Sequence, residues 1–466
     1  MSLKYQGNLD GKQVAVSVSE TGFEYEDLKS TQTSSVLLDK IVTVFPISNE
    51  GNEDSQISIL FIEQSASDNS DIRLKCLEVR GLQDALWHRT MTVLPPYLRI
   101  PPSNTSNIHV VVSTHSGTHG ALRFFDNALR PLLSKMGIEG YQHYETQSAE
   151  TIIELSRAIF LPKAQAGVRQ TIILLSGDGG LVDIIKVLSG MGHSSSCDMG
   201  VFVAPYVSLI PMGTGNATAN STGLAGDATW GLSTLLHGRP QRLPLFRVSL
   251  SPGSAYVIDE GRRKKPMLES TETNGAAEVY GAVVVSWGMH ASLVAESDTT
   301  EYRKFGAERF QMAAKELLYP SDGSQTHQYQ GGLTLIKKGL PGAEGVVAVD
   351  RMKHMYVLVT LMSQLEKGFT ISPSSTPLDG QLRVVHFGPL DPDVAMGLMM
   401  KAYDGGKHVN DNLVGYEAVE GVRIEFQEED DKWRRVCVDG KILVIEKGGW
   451  LEVRASSENL LDLIIL

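Results

Sequence analysis

Asp178 stands between glycines where an apolar run ends, in the stretch LLSGDGGLVD at residues 174–183. The run before it predicts a buried strand, and the apolar pattern that resumes after it predicts a helix. Glycines at such a turn let another group approach the backbone, and free amides at a helix start can hold a phosphate. A carboxylate placed there can act as general base for a substrate hydroxyl beside a nucleotide γ-phosphate. Asp178 is therefore a candidate general base, a role that one glycine turn alone indicates only weakly and that further glycine turns would make more specific.

Two further glycine turns accompany this one. The next strand ends in PMGTGN at residues 211–216, and an earlier strand ends in STHSGTHG at residues 113–120. Backbone N–H groups in such turns can cradle an oligophosphate, because they supply donors where side chains would obstruct. Asp183, on the first turn of the helix after Asp178, has two interpretations: a residue that orients Mg²⁺ near the phosphates, or a charge that stabilises the helix N-terminus.

The elements around these turns alternate between strand and helix from residue 107 onward. The runs NIHVVVST (107–114), TIILLS (171–176) and VSLIPMG (207–213) predict buried strands, and amphipathic patterns between them predict helices. Such alternation implies right-handed crossovers and a parallel, doubly wound α/β sheet, which binds ligands at the carboxyl ends of its strands. All three glycine turns lie at such ends.

Sequence patterns typical of strands predominate on both sides of this region. Residues 1–100 show short alternating apolar runs that close with a helical pattern from residue 82, which predicts either a pleckstrin-homology-like module or a structural β cap on the next domain. After about residue 245 a series of strand runs predicts a mostly antiparallel β-sandwich, interrupted by a helical region at 302–318. We therefore expect three domains: 1–100, 105–245 and 246–466.

Composition and charge restrict the classes of function. The chain of 466 residues is longer than one core usually serves, and its 42% hydrophobic and 21% charged residues are ordinary for a globular protein. A net charge of −12 argues against broad nucleic-acid binding, which needs a basic face. The three cysteines show no metal-ligand spacing, and no apolar run is long enough to span a bilayer. We expect a cytoplasmic protein, soluble or peripherally associated with a membrane.

SGDGG followed by PMGTGNA resembles the paired signature of the diacylglycerol kinase catalytic fold. Sphingosine kinases, ceramide kinases and bacterial diacylglycerol kinases share this fold, and NAD kinases and phosphofructokinases share it more distantly. The sphingosine kinase branch is the most similar, because the chain reads SGDG in place of GGDG. The segment from residue 287 to 310 is also similar, with WG at 287–288, Glu296, YRKFG at 302–306 and RF at 309–310. Two later motifs agree as well, LDGQLRVVHFG (378–388) and VDGK (438–441). The resemblance covers roughly 105–455, and the order of these motifs makes it specific.

The resemblance implies roles for individual residues. Asp178 would be the catalytic base, and ATP and Mg²⁺ would be the cofactors. Arg303 and Arg309 would reach the nucleotide phosphates from the second domain, because a guanidinium stabilises charge on a transferring phosphoryl group. Asp439 would lie near the nucleotide through water or Mg²⁺. The residues implied to line the phosphates and ribose are Ser113, Thr146, Gly177, Gly179, Gly213, Thr214, Gly215 and Asn216.

Several positions depart from the family pattern. Ser-Thr at 113–114 stands where relatives usually read Asn-Pro, and Thr118 replaces a common lysine. Val294 takes the position of the carboxylate that grips the amino-alcohol head of sphingosine, with Glu296 two residues away as the other candidate for lipid contact. Asp-Gly-Lys at 439–441 replaces the usual Asp-Gly-Glu. These departures put the acceptor in question more than the phosphoryl transfer.

The residue motifs and the resemblance to the kinase family together predict a lipid kinase that associates peripherally with membranes. It would transfer the γ-phosphate of MgATP to a hydroxyl of a long-chain (sphingoid) base, with the nucleotide between the α/β and β domains. Three alternatives stay open: a diacylglycerol or ceramide acceptor, a catalytically degenerate lipid- or nucleotide-binding scaffold, and a soluble-substrate kinase such as an NAD kinase. The expected partners are the lipid substrate and the membrane surface, without nucleic acid, and the oligomeric state is open, a homodimer included.

Overall fold

The structure of the chain, a computed structural model, consists of three parts, which are called layers below. They are an antiparallel sheet, an α/β sheet with its helices, and a pair of antiparallel sheets. None of the helices in the described ranges combines the length and the apolar character that a membrane crossing needs. The described ranges are 4–47, 56–65, 71–81, 93–99, 107–117, 119–190, 202–267, 275–306, 308–339 and 345–466.

The first layer is a seven-stranded antiparallel sheet. Its strands are β1 (Lys4–Leu9), β2 (Lys12–Ser19), β3 (Gly22–Asp27), β4 (Thr33–Leu37), β5 (Ile41–Pro46), β6 (Gln56–Gln64) and β7 (Ile72–Arg80). They follow the spatial order β4-β3-β2-β1-β7-β6-β5. The helix expected to close this module begins at residue 82, and residues 82–92 lie outside the described ranges.

Both faces of this sheet are covered. On one face Phe23 and Phe61 meet edge to face in a core of the sheet's own residues. On the other face Leu60 and Ile62 join a core cluster that includes Phe125 of the second layer. Since β6 contributes alternate residues to the two clusters, its apolar run QISILFIEQ is nearly unbroken.

The second layer is an α/β sheet. Its first strands are β8 (Ile108–Val112), β9 (Gln142–Glu145), β10 (Thr171–Ser176), β11 (Tyr206–Pro211) and β12 (Arg239–Arg242). Strands β9, β8, β10 and β11 lie side by side and parallel. The helices are α1 (Ala121–Phe124, Phe125–Leu129 and Arg130–Lys135), α2 (Thr151–Leu155, Ser156–Phe160 and Leu161–Gln165), α3 (Asp178–Ser189), α4 (Ala217–Ser221) and α5 (Leu232–His237).

Helices cover this sheet on both faces. Leu181 and Ile185 of α3 pack in one cluster with Leu174 of β10. On the opposite face Ile173 of β10 packs in the cluster that holds Leu235 of α5. Consecutive residues of β10 therefore pack in different hydrophobic clusters, which explains why its sequence is continuously apolar. The carboxyl end of β10 lies between the helices that cover the two faces of the sheet.

The third layer is a pair of packed antiparallel sheets. Its strands are β13 (Leu245–Leu250), β14 (Ala255–Ile258), β15 (Arg263–Pro266), β16 (Ala277–Gly281), β17 (Val284–Gly288), β18 (Tyr329–Lys337), β19 (Gly345–Ala348), β20 (Lys353–His354), β21 (Tyr356–Thr360), β22 (Gln364–Glu366), β23 (Phe369–Thr370), β24 (Arg383–Phe387), β25 (Gly415–Ala418), β26 (Gly421–Phe426), β27 (Arg435–Val438), β28 (Lys441–Val444) and β29 (Trp450–Ser456). One sheet follows the order β16-β13-β29-β26-β18-β19, and the other follows β15-β14-β28-β27-β17-β21-β24-β25. Phe246, Trp287 and Phe426 lie in the core between them.

In the described part of this layer, four α-helices accompany the sandwich. They are α6 (Met289–Ser297), α7 (Thr300–Arg303), α8 (Glu308–Leu318) and α9 (Pro392–Tyr403). Helix α6 follows β17 directly, through Gly288 at a positive φ of 88°. A side chain there would meet the Met355 carbonyl oxygen at 2.5 Å, so only glycine allows this close turn.

A final strand, β30 (Asp462–Ile465), returns from the sandwich to the α/β sheet. It pairs parallel with β11 and antiparallel with β12. Leu463 packs on one face of the sheet and Ile464 on the other. The expected domain 246–466 therefore differs from the observed layers at this strand, because residues 462–465 complete the sheet of the preceding domain.

Candidate active site

Three glycine turns meet at the carboxyl ends of β8, β10 and β11. A Cβ atom at Gly213 would lie 2.5 Å from the Gly177 Cα atom, and one at Gly117 would lie 2.3 Å from the Met212 carbonyl oxygen. These approaches are closer than any side chain permits, so glycine is required for the turns to touch. The structure thus brings together backbone segments that are far apart in the sequence.

Asp178 is the first residue of α3, and its carboxylate joins two of these turns. One oxygen accepts a hydrogen bond from the Ala217 N–H at 2.7 Å, and the other accepts from the Thr218 N–H at 2.9 Å, both at the start of α4. Burial raises the pKa of Asp178, and these hydrogen bonds oppose that shift. A carboxylate has about four lone-pair sites, so two remain for a substrate proton.

The turn before α4 is held by its own asparagine. Asn216 adopts a left-handed conformation with φ of 53°. Its side chain accepts from the Gly213 N–H at 2.9 Å and donates to the Gly213 carbonyl oxygen at 2.8 Å. This closed arrangement leaves Thr214 and Gly215 at the tip, where they line the cavity described below.

Hydroxyl groups connect the first glycine turn to the end of β9. The Thr114 N–H donates to Thr146 Oγ1 at 3.0 Å, and Thr114 Oγ1 donates to the Thr146 carbonyl oxygen at 2.7 Å. Ser116 Oγ donates to Ser113 Oγ at 2.7 Å. The unusual Ser-Thr pair at 113–114 therefore has a structural role, while Thr118 falls outside the described residues.

A cavity of about 850 Å³ opens over these turns and is also lined by the sandwich. Most of the predicted site residues contribute to its wall. They are Ser113, Thr146, Gly177, Asp178, Gly179, Asp183, Gly213, Thr214, Gly215, Asn216, Val294, Arg309 and Asp439. Among the residues that the structure describes, Arg303 and Glu296 are the two predicted site residues outside this wall.

The two predicted arginines differ in their surroundings. Arg303 pairs with Asp298 at 3.0 Å. Arg309 is closer to the cavity, lies 3.9 Å from the same carboxylate, and its Nε has no hydrogen-bond partner among the described residues. Glu296 pairs instead with Lys432 at 3.7 Å and with Arg435 at 3.5 Å. Of the two arginines, Arg309 is the one that lines the cavity.

Asp439 forms part of the cavity wall on the sandwich side. It lies in the β27–β28 turn at φ of 47° and accepts hydrogen bonds from the N–H groups of Ala282, Val283 and Val284, at 2.7, 3.0 and 2.7 Å. Burial raises the pKa of Asp439 to about 6, although the three hydrogen bonds act to lower it. The negative charge of Asp178 adds to the increase. The two carboxylates therefore face the same cavity from different layers.

The raised pKa of Asp439 predicts a specific pH dependence of stability. Between about pH 4 and pH 6 the folded protein keeps a proton that the unfolded chain has released, so this group's contribution to the free energy of unfolding falls as pH rises. Urea unfolding at several pH values should show wild type losing stability relative to Asp439→Asn across this window. Parallel pH profiles for the two proteins would contradict the assignment.

Asp183 faces a lysine from the sandwich. Its carboxylate is buried and lies 3.3 Å from Lys441 Nζ. Burial raises the pKa of Asp183, and the Lys441 charge opposes this. Lys441 is the residue that replaces the usual glutamate of the family motif, and sequence analysis did not foresee this pairing.

The described residues do not form a magnesium site built from protein ligands alone. No group of three His, Cys, Asp or Glu side chains in the described ranges is placed to bind a metal. The carboxylates of Asp178 and Asp439 accept backbone N–H bonds, and Asp183 faces an ammonium group. The Mg²⁺ interpretation of Asp183 is therefore not supported by this geometry.

The cavity continues into a section with apolar walls, which sequence analysis did not locate. It is formed by α6, α8, α9 and the β22–β23 hairpin. The three methionines in the run AMGLMM of α9 are the sequence signal that could have identified it, since methionine is common at adaptable apolar binding surfaces. The apolar side chains include Leu293, Val294, Phe310, Leu318, Leu365, Phe369, Met396 and Met399.

Comparisons with known proteins agree with this arrangement. Residues 107–248 match the family model described as diacylglycerol kinase catalytic domain. A putative diacylglycerol kinase from Bacillus anthracis str. Sterne has a similar fold, with 14% identity, a TM-score of 0.50, and coverage of 77% of this chain and 97% of that one. A second putative diacylglycerol kinase structure from the same strain gives 11% identity, a TM-score of 0.50, and coverage of 77% and 97%. The comparison with curated proteins gives no match. The segment that matches the diacylglycerol kinase catalytic domain model, residues 107–248, therefore contains the three glycine turns and Asp178.

Proposed function

We propose that this protein is an ATP-dependent lipid kinase that phosphorylates a hydroxyl of a long-chain lipid. The observation that carries the proposal is the continuous cavity in which the glycine turns and Asp178 meet a section with apolar walls. Phosphate-binding turns account for a nucleotide, and the apolar section accounts for an acyl or alkyl chain. The catalytic domain match over residues 107–248 supports the same conclusion.

In the proposed reaction the lipid hydroxyl oxygen attacks the γ-phosphorus, the bond from that phosphorus to the bridging oxygen breaks, and ADP leaves. Asp178 accepts the hydroxyl proton through a lone pair that its bonds to Ala217 and Thr218 leave free. The amides of Thr214 and Gly215, at the tip of the turn before α4, bind the phosphates, and Arg309 stabilises the charge on the transferring group.

The remaining predicted residues support this site in our proposal. Ser113 and Thr146 lie at the nucleotide end of the cavity, and Asp439 fixes its sandwich wall. Arg303 binds Asp298 and so positions the carboxylate beside Arg309. ATP would bring Mg²⁺ on its own phosphates, because the described residues offer no ligand set for it.

Two acceptor classes compete. The resemblance to sphingosine kinases proposes a sphingoid base, whose ammonium group needs a counter-charge in a buried site. A neutral acceptor such as diacylglycerol or ceramide is the second candidate, and it is favoured by Val294, which brings an apolar side chain to the cavity wall.

Val294→Asp is expected to change the acceptor preference. A carboxylate at this position would pair with the sphingosine ammonium, so transfer to sphingosine should rise by about tenfold, the effect of one charged hydrogen bond. Transfer to diacylglycerol should fall, because an unpaired charge then faces the neutral head group. Rates on both lipids check this, with Val294→Asn as the uncharged control. An unchanged acceptor profile would show that Val294 lies away from the head group.

The proposal also includes peripheral membrane contact in a cytoplasmic setting. Val394 and Met400 of α9 are 43% and 59% exposed, and Met400 also lines the cavity together with Met396 and Met399. This apolar helix surface suits contact with a bilayer at the cavity mouth. The buried thiols of Cys76 and Cys437 are unpaired, which suits a reducing compartment.

Transfer of labelled γ-phosphate from MgATP tests the proposed function. Sphingosine, ceramide and diacylglycerol serve as acceptors, with soluble NAD in parallel, and label in one extractable lipid is the expected result. Label in NAD instead would identify a soluble-substrate kinase. If neither is labelled while the folded protein still binds nucleotide or lipid, the degenerate scaffold is the correct alternative.

A further inference from the structure

The inner end of the apolar section holds a tyrosine hydroxyl without a partner. Tyr356 is the first residue of β21, lies opposite Gly288 of β17, and stacks on Phe387 with ring centroids 5.1 Å apart. Its side chain lines the cavity and the residue is only 1% exposed, yet its Oη has no hydrogen-bond partner in the described part of the chain. Buried hydroxyls are nearly always bonded, so this group lacks a partner that a ligand can supply.

A histidine stands beside this hydroxyl. His290, in the first turn of α6, also lines the cavity, and its ring centroid is 6.0 Å from that of Tyr356. Its Nδ1 lies 2.7 Å from Ser286 Oγ, which leaves Nε2 as the ring nitrogen for a ligand. Burial lowers the pKa of His290 to about 4, so the imidazole is neutral near pH 7 and offers one donor or one acceptor rather than a charge.

Each carboxylate of the cavity has a partner within the protein. Five line it: Asp178, Asp183, Asp298, Glu366 and Asp439. The first and last accept backbone N–H groups, the second and third pair with cations, and Glu366 accepts from the Tyr403 hydroxyl at the α9 end. The imidazole of His290 and the phenol of Tyr356 are both uncharged near pH 7, because burial lowers the pKa of His290 and raises the pKa of Tyr356. An ammonium group beside those two rings would therefore gain no ion pair from them, and burying a charge without one is strongly unfavourable.

We infer that Tyr356 and His290 form the head-group subsite of the acceptor and select an uncharged lipid alcohol. This inference rests on the proposed lipid kinase function and names the chemistry of its acceptor. The Tyr356 hydroxyl donates to a carbonyl or hydroxyl oxygen next to the reactive hydroxyl, and His290 bonds a second polar atom of the same head group. The lipid class that fits is a long-chain alcohol with a neighbouring ester or amide group, and a free amine does not fit.

Tyr356→Phe tests this subsite because it removes one hydroxyl and little else. Without lipid the variant should unfold at a temperature no lower than wild type, since the hydroxyl has no protein partner to lose. With short-chain diacylglycerol in mixed micelles, KM should rise by about tenfold while kcat changes less. The increase in unfolding temperature that diacylglycerol micelles give wild type should also shrink, which measures binding without catalysis.

Tyr329→Phe is the matched control. Tyr329 is equally buried in the same sandwich, but its hydroxyl bonds Ser292 Oγ at 2.7 Å and does not line the cavity. This variant should lose stability without lipid and keep the wild-type KM. If both variants behave alike, the Tyr356 hydroxyl has no role in lipid recognition and the inference is wrong.

Glu366→Gln examines the competing location for an amine. If wild type prefers sphingosine to diacylglycerol and Glu366→Gln removes that preference, the head group is an amine held at Glu366 and the inference is overturned. If no lipid is phosphorylated at all, the kinase proposal fails, but diacylglycerol stabilisation that Tyr356→Phe removes still supports the subsite. Absence of that stabilisation in wild type would overturn the subsite too.

Discussion

Asp178→Asn is expected to lower phosphate transfer to lipid by at least about 100-fold, the lower end of what a positioned general base contributes. The amide is nearly isosteric but cannot accept the hydroxyl proton. The substitution also places an NH₂ group against either the Ala217 or the Thr218 N–H, which now donate to the carboxylate at 2.7 and 2.9 Å. We therefore expect a loss of stability of about 1–3 kcal/mol in the same variant.

Asp227→Asn separates these two effects. The Asp227 carboxylate accepts from the Thr229 N–H at 2.8 Å and from the Thr234 hydroxyl at 3.1 Å, in the same α/β layer but outside the cavity wall. Its replacement should lower stability similarly and leave transfer intact. Rates under conditions where both variants are folded give the comparison. Transfer that survives in Asp178→Asn would place the base on another residue.

Gly213→Ala is expected to damage the fold at the point where two glycine turns touch. The added Cβ would lie 2.5 Å from the Gly177 Cα and 2.7 Å from Asn216 Oδ1, and one of these contacts is with backbone that cannot move alone. Overpacking of this kind costs about 1–3 kcal/mol. Nucleotide binding should fall as well, because separating the turns moves the amides that face the phosphates.

Gly179→Ala provides the opposite case in the same site. No atom lies within 4 Å of a Cβ at this position, and the residue is in the first turn of α3. Alanine is a better helix former than glycine by about 1 kcal/mol, so the unfolding free energy should stay level or rise. Its methyl group enters the nucleotide end of the cavity, so nucleotide affinity should still fall. Urea unfolding and nucleotide calorimetry on both variants check this contrast, and equal stabilities would contradict it.

The residues at the glycine-turn end of the cavity could be predicted from the sequence, because each of them belongs to a short, recognisable motif. A strand pattern ending in SGDGG or PMGTGN places Asp178, Gly213 and their neighbours at the carboxyl edge of a sheet. The glycines are required by close backbone contacts, and that requirement leaves a visible mark in the sequence. Most predicted residues of this end line the cavity.

The remaining features depend on contacts between distant segments. Lys441 meets Asp183 across two layers, and Glu296 turns toward Lys432 and Arg435, which no spacing rule reveals. Tyr356 belongs to the apolar run MYVLVTLM, a pattern that predicts an ordinary core residue at this position. Its unpartnered hydroxyl is a property of the surrounding walls, so only the folded arrangement shows it.

Strand β30 has a consequence for how this protein acquires its structure. Residues 462–465 fill the space between β11 and β12, so the sheet that carries Asp178 stays open until the sandwich sequence has been synthesised. During synthesis β11 presents an unpaired edge for as long as translation of that sequence takes, and such edges invite association with other chains. Closing the gap also requires a contact of long sequence separation, which slows folding. The α/β sheet thus depends on a strand that follows the sandwich in the sequence, and a fragment cut at residue 248 would lack the strand that completes its sheet.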